Sequence, residues 1–242
     1  MNERRILSLG AAALFLFAAA GGAFAITQDF NGVPAGTVVA GVLPGGGTAP
    51  GTAFPDFTLS VTNNGSGPNS IVIFDSANPT GGDWDLGTPN EDFSGPGVGS
   101  GGESGMPGEN SEPLGHLIVI AHDIVDGDMD GLVDQPNDEA GGGLIRFTFD
   151  VPTVVMWVKI VDIDATESIE FEAYNDGGLV GTTPTAALGN NSVQTVDLMG
   201  YGALTYIDAE FSGSGAIAEI EYRPQTTSTE EKSWGDVKKI WR

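Results

Sequence analysis

From Ile26 onward, apolar and polar residues alternate or cluster in short runs separated by Gly, Pro, Asn and Asp. That is the pattern of short β-strands joined by turns. Phe57, Leu59 and Val61 alternate with Thr58, Ser60 and Thr62, predicting a half-buried strand. Ile145, Phe147 and Phe149 do the same against Arg146 and Thr148, as do Ile169, Phe171 and Ala173 against Glu170 and Glu172. Ile71–Phe74 and Leu117–Ala121 are continuous apolar runs, as expected of strands covered on both faces. Pro152–Asp164 reads as the longest strand: Val154, Met156, Val158 and Ile160 take one face, and Val155, Trp157, Val161 and Ile163 the other. Ile26–Phe30, Gly36–Val42, Val193–Leu198, Leu204–Phe211 and Ala216–Tyr222 complete the set. Amphipathic helical spacing is absent before Thr226. The predicted fold class is therefore all-β, an antiparallel, jelly-roll-like β-sandwich with long acidic, Gly-rich loops.

Two stretches interrupt the strands. Ser76–Gly115 is Gly-rich and acidic, with few large apolar residues. Asp123–Glu139 reads D-I-V-D-G-D-M-D-G-L-V-D-Q-P-N-D-E and contains no Lys or Arg. Loops of this length inside a domain are functional or disordered. Because they flank Leu117–Ala121 on either side, they are expected at opposite ends of the sandwich.

The second stretch carries the clearest chemistry. Asp126, Asp128 and Asp130 alternate, and Gly131 follows at the sixth position. Like charges packed this closely repel unless a cation separates them. Alternate carboxylates with a glycine at the sharp turn are how a chain wraps a hard cation. The Leu132 carbonyl and the Asp134 carboxylate would occupy the seventh and ninth positions, and Asp138 lies beside the twelfth. The expected ligand is Ca²⁺. The spacing resembles the calcium loops of EF-hands, dockerins and thrombospondin type 3 repeats over about a dozen residues. It departs from the EF-hand in having Asn137 at the twelfth position, where that loop has a bidentate Glu, and in lacking flanking helices.

A second cation site is expected where carboxylates end strands beside the Gly-rich loop. Asp83 and Asp85 flank Trp84, Asp162 and Asp164 end the longest strand, and Asp75 ends Ile71–Phe74.

The formal net charge of the 242 residues is −24, and there is no Cys. Between Ile26 and Pro224 the only Lys or Arg residues are Arg146, Lys159 and Arg223. That acidity argues against nucleic acid and anionic lipid as partners. Residues 1–25 have the pattern of a secretory signal peptide: Arg4 and Arg5, an apolar run, and Ala23-Phe24-Ala25 as an A-x-A cleavage site. The expected location is secreted or cell-surface. Without disulfides, rigidity must come from packing or from bound metal. Residues 26–224 form the expected domain, and no segment in them is apolar enough to span a bilayer. Residues 225–242 form a Thr-rich linker followed by a basic tail with Trp234 and Trp241. The tail reads as a docking or sorting tag for a surface or secretion partner, or as a disordered end.

The runs I-F-D-S-A-N-P-T-G-G-D-W-D-L-G-T-P-N, D-G-D-M-D-G-L-V-D-Q-P-N-D-E-A-G-G, V-D-I-D and F-S-G-S-G-A-I, with the opening D-F-N-G-V-P-A-G-T, support a wider resemblance. They are similar to a group of exported bacterial β-sandwich proteins, many of which carry PEP-CTERM surface-sorting tails. The resemblance implies a surface or matrix protein without known catalysis. The P-E-P signal, membrane helix and terminal Arg cluster of that group are missing here.

Enzyme chemistry is not expected. There is no Cys nucleophile, and Ser66, Ser100 and Ser214, each between glycines, lack a strand-to-helix context. His116 and His122 lie about 20 Å apart in an extended strand, too far to share a metal. The expected function is a calcium-binding, non-catalytic binding or matrix module. Extracellular polysaccharide is the candidate ligand, with Trp84, Trp157 and Tyr174 as candidate stacking residues. A self-assembling structural subunit and a polysaccharide-degrading enzyme acting through paired carboxylates are the rivals.

Overall fold

The computed structural model describes residues 24–225. The proposed tail, with Trp234 and Trp241, and nearly all of the proposed signal segment lie outside the described residues. Within them the chain is antiparallel β-structure, with short 3-10 turns and no α-helix. No helix there is long and apolar enough to cross a membrane.

Twelve strands form one continuous hydrogen-bonded network. They are β1 (Ile26–Asp29), β2 (Val38–Val42), β3 (Thr48–Pro50), β4 (Phe57–Asn63), β5 (Ser70–Asp75), β6 (His116–Ile120), β7 (Gly143–Ile163), β8 (Ile169–Asn175), β9 (Gly178–Pro184), β10 (Gly189–Asp197), β11 (Ala203–Phe211) and β12 (Ala216–Pro224).

The 21-residue β7 makes the sandwich. Its first half pairs with β4 on one side and β11 on the other, so one layer runs β4-β7-β11-β8-β9. Its second half pairs with β10 and β12, and that layer continues through β6, β5, β2 and β3. The crossover falls at the exposed segment Asp150-Val151-Pro152. Two expected strands, Ile145–Phe149 and Pro152–Asp164, are thus one continuous strand passing between layers. Proline is tolerated there because that stretch is a bend between layers.

Alternation places Phe57, Phe147, Phe149, Phe171 and Ile207 on the inner face of the first layer, against Ile73, Ile118, Ile160 and Ile220 of the second. Phe57 lies at the aromatic centre, with ring centroids 5.3 Å from Phe147 and 5.8 Å from Tyr222. Strict parity fails along the second half of β7. The pairing shifts register against β12 between Ile217 and Glu219 and again between Glu221 and Tyr222. Val155, Val158 and Ile160 consequently share the main core, whereas Val161 faces the other side. A bulge inserts one residue and flips every side chain beyond it.

β5 and β6 are buried on both faces, as their continuous apolar runs predict. What covers their outer face differs from expectation. The two long insertions do not leave from opposite ends; both fold over the outer face of the second layer. Leu86 and Leu114 from the first insertion and Val133 from the second pack with Phe74, Leu117, Val119 and Ala218 in a second core. Three hydrogen bonds join the insertions to each other: Thr80 Oγ1 donates to the Pro136 carbonyl (2.8 Å), Asn137 Nδ2 to that of Gly81 (3.2 Å), and the Asp138 N–H to Asp83 Oδ2 (2.9 Å).

Candidate metal centre

The D-x-D-x-D-G stretch forms a loop closed by its own carboxylates. Asp126 accepts from the Asp130 N–H (3.1 Å) and, through its other oxygen, from the Gly131 N–H (3.0 Å). Asp128 accepts from Asp130 N–H (3.2 Å), and Asp130 from Leu132 N–H (2.8 Å). Asp134 reaches back to the Gly127 N–H (2.8 Å). Gly131 has φ 91°, a left-handed conformation that glycine adopts without penalty. One oxygen each of Asp126, Asp128 and Asp130 lies within 4.8 Å of the others, a spacing that could hold a metal ion.

The twelfth position explains its own departure from the EF-hand pattern. Asn137 faces the first insertion, where its amide bonds the Gly81 carbonyl. Glu139 is turned away as well. Burial would raise its carboxyl pKa, but hydrogen bonds from the Gly141, Gly67 and Asn63 donors and the nearby His122 hold it below its ordinary value.

Asp138, expected beside this loop, lies elsewhere. Its Oδ2 accepts from Ser214 Oγ (2.5 Å) and the Gly215 N–H (2.6 Å) in the β11–β12 turn. Its own N–H donates to Asp83 Oδ2 (2.9 Å). Asp83, Asp85, Asp138 and Asp162 thereby come together from three separated segments. Asp162 Oδ1 accepts from the Asn191 N–H (2.7 Å), and Asn191 Nδ2 donates to the Asp85 carbonyl (2.6 Å). Asp162 has φ 63° at the end of β7, and its side chain is 2% exposed. Asp164, expected on the same face, is exposed, because the left-handed residue at 162 breaks strand parity. Asp75 is also separate: it caps a turn by accepting from the Ala77 N–H and Asn78 Nδ2.

Burial dominates the electrostatics of this cluster, and mutual repulsion adds to it. Burial and the Asp85 charge push Asp162 up to about 8. Burial and the Asp138 charge push Asp83 up to about 7 and Asp85 up to about 6. Burial also raises Asp138 and Glu167.

Three contributors escaped the sequence reading. Ser214 stands in the sequence only as a serine between glycines, and Gly215 as one of those glycines. Asn191 had no signal, yet its amide ties the first insertion to β10. The buried Asn90, Asn110 and Asn191 side chains bond one another and the carbonyls of Gly87 and Gly99. Glycine is required at Gly97, where a Cβ would fall 2.2 Å from the Gly87 carbonyl oxygen and 2.8 Å from the Asn191 amide.

The aromatic candidates differ in accessibility. Trp84 is 55% exposed. Trp157 lies half-buried, with Lys159 Nζ 5.7 Å from its ring. Tyr174 stacks on Tyr206 (centroids 4.4 Å apart), and the Arg146 guanidinium sits 4.3 Å from the Tyr206 ring while it chelates Asp208. His116 hydrogen-bonds the Val33 carbonyl (2.7 Å).

The fold and this site define an antiparallel β-sandwich bearing acidic loops. No family model matches the chain, and no curated protein matches it. Among solved structures it is similar to a chain described as "CpGH89CBM32-6 produced by Clostridium perfringens". The identity is 18% and the TM-score 0.26, over 37% of this chain and 74% of that one. A similarity this slight has no bearing on function.

Proposed function

We propose that this protein is an exported, calcium-stabilised β-sandwich that acts as a non-catalytic binding module at a cell surface or in an extracellular matrix. The single observation that carries the calcium reading is the convergence of Asp126, Asp128 and Asp130 within 4.8 Å around the turn at Gly131. Oxygen-only donors on one short loop suit Ca²⁺. The domain holds no cysteine, so a cation that binds only the native state supplies stability otherwise left to packing. The test is thermal melting in EDTA and in millimolar Ca²⁺. The expected result is a higher melting temperature with Ca²⁺, and identical melts would refute the reading.

The insertions seal one outer face, which leaves the outer face of the β4-β7-β11-β8 layer for a ligand. Cross-strand rungs cover it: Tyr174, Tyr206, Thr148 and Thr58; Glu172, Asp208, Arg146 and Ser60; Glu170, Glu210, Leu144 and Thr62. An open cleft of about 510 Å³ lies at its end, lined by Asn64, Ser168, Glu170 and Glu210 among others. Hydroxyl, amide and carboxylate groups beside aromatic rings suit an extracellular polysaccharide. A glycan array with calorimetry, with and without Ca²⁺, tests this, and loss of binding in Tyr174→Ala locates the face.

One observation favours a second reading. Glu170 and Glu210 are direct cross-strand partners in that cleft, the kind of carboxylate pair that glycoside hydrolysis uses. Release of reducing ends from a bound polysaccharide, abolished in Glu210→Gln, would replace the non-catalytic reading.

A further inference from the structure

We propose that a small pocket at the margin of the first insertion, walled by Asn110, Ser111, Leu114, Lys159 and Val193, binds one uncharged sugar residue at the end of an extracellular polysaccharide. It lies against β7 and β10 of the second layer, apart from the Tyr174–Tyr206 face of the first, and needs neither that face nor a bound ion.

The pocket forms where the insertion meets the sheet. β10 pairs with the second half of β7, which sets Val193 opposite Val161 and Thr195 opposite Lys159. The Val193 N–H donates to the Gly108 carbonyl (2.9 Å). Asn110 Nδ2 donates to the Gly87 carbonyl (3.0 Å) and to Asn191 Oδ1 (3.1 Å). These bonds hold residues 108–110 along β10. Beside them, a space of about 110 Å³ stays open next to Lys159. It has room for several waters or for one sugar ring, and not for a length of chain.

One wall of this pocket holds a polar group that the chain does not satisfy. Asn110 is 1% exposed, and its amide can face only one way, because Nδ2 donates to the oxygens of Gly87 and Asn191. Its Oδ1 is left with no hydrogen-bond partner among the described residues. A buried carbonyl without a donor is costly and calls for one from outside the chain.

The other walls decide what kind of donor fits. Lys159, the only lysine among the described residues, pairs with Glu219 (2.7 Å) and has N–H donors to spare. Its charge disfavours a cationic ligand, whereas Glu109 and Glu112 at the rim disfavour an anionic one. A hydroxyl meets both demands, since it is uncharged and both donates and accepts. Leu114 and Val193 supply apolar wall, and the half-buried Trp157 ring lies 5.7 Å from Lys159 Nζ. Several hydroxyls on a ring with an apolar face describe a sugar. One hydroxyl would donate to Asn110 Oδ1, and a neighbouring one would accept from Lys159.

The test is titration of the full chain with glucose, galactose, mannose and N-acetylglucosamine, followed by calorimetry and tryptophan fluorescence. Glucosamine and glucuronate, in mildly acidic buffer, are the charged controls. At least one neutral sugar should bind with a millimolar Kd, and both charged sugars should bind more weakly. Ser111→Trp, at an exposed position, should block binding without lowering the melting temperature. Lys159→Gln should weaken binding about tenfold, the loss of one charge-assisted hydrogen bond. Tyr174→Ala should leave it unchanged, so failure of the first-layer face and failure of this pocket are separate results. Binding of none of the neutral sugars overturns the proposal and leaves Asn110 Oδ1 to a buried water. So does binding that survives Ser111→Trp, an affinity unchanged by Lys159→Gln, binding abolished by Tyr174→Ala, or equal affinity for a charged sugar.

Discussion

Raising the pH of the metal-free protein from 5 to 8 should destabilise it, opposite to the usual gain in stability as carboxylates ionise. The cause is the cluster formed by Asp83 and Asp85 of the first insertion, Asp138 at the end of the second, and Asp162 at the end of β7, with Asp164 and Glu167 adding to the repulsion. Burial raises Asp83, Asp85, Asp138 and Asp162 in the folded state, so the native protein holds more protons than the unfolded chain. Their contribution is fully favourable below the unfolded value of 3.8 and is lost as pH rises through the folded values of about 6, 7 and 8. Asp162, 2% exposed, moves from 3.8 to about 8. At about 1.4 kcal/mol per pH unit, it alone removes on the order of 4 kcal/mol between pH 5 and pH 8. For a domain near 200 residues that is a fall in melting temperature on the order of 10 °C. Glu139 has the opposite sign: its pKa is lowered, so its stabilisation is lost only in acid, below this window. The assay is calorimetric or circular-dichroism melting in EDTA at half-unit pH steps. A metal-free melting temperature that stays level or rises from pH 5 to pH 8 would refute the reasoning.

Four other outcomes are expected. Calorimetry should show Asp128→Ala and Asp130→Ala each weakening calcium binding at the first loop strongly, with Asn137→Ala mattering less there. Asn137→Ala should instead cost about 1 kcal/mol in a denaturant melt, since it loses the hydrogen bond to Gly81. Asn191→Ala removes a fully buried amide that bonds the Asp85 and Gly87 carbonyls and the Asn90 and Asn110 amides; it should cost about 3 kcal/mol or more and expose the first insertion to limited proteolysis. Removal of residues 225–242 should leave the melting temperature unchanged, because a polar, Thr-rich linker carries little packing energy; a fall of several degrees would place the tail in the fold.

Local pattern determined much of this protein. Period-two alternation in β4, β8 and the first half of β7 sets which side chains enter the core, because successive residues of a strand face opposite ways. The continuous apolar runs in β5 and β6 foretold burial on both faces. The spacing Asp126-x-Asp128-x-Asp130-Gly131 was sufficient to foretell three carboxylates close enough to hold a metal ion, since a loop of that kind takes its donors from one short segment. β9 escaped notice because Gly178–Pro184 is an exposed edge strand without alternation, and β3 because it is three residues long. Tertiary structure alone decided the rest. Bulges in β7 reassigned its faces, and the left-handed residue at Asp162 separated it from Asp164. Packing laid both insertions on one face of the second layer and turned Asp138 from the acidic loop toward Ser214, Gly215 and Asp83. A cluster whose carboxylates come from positions 83, 138 and 162 leaves no spacing to read, because what joins them is the close approach of strand ends and loops distant in the chain.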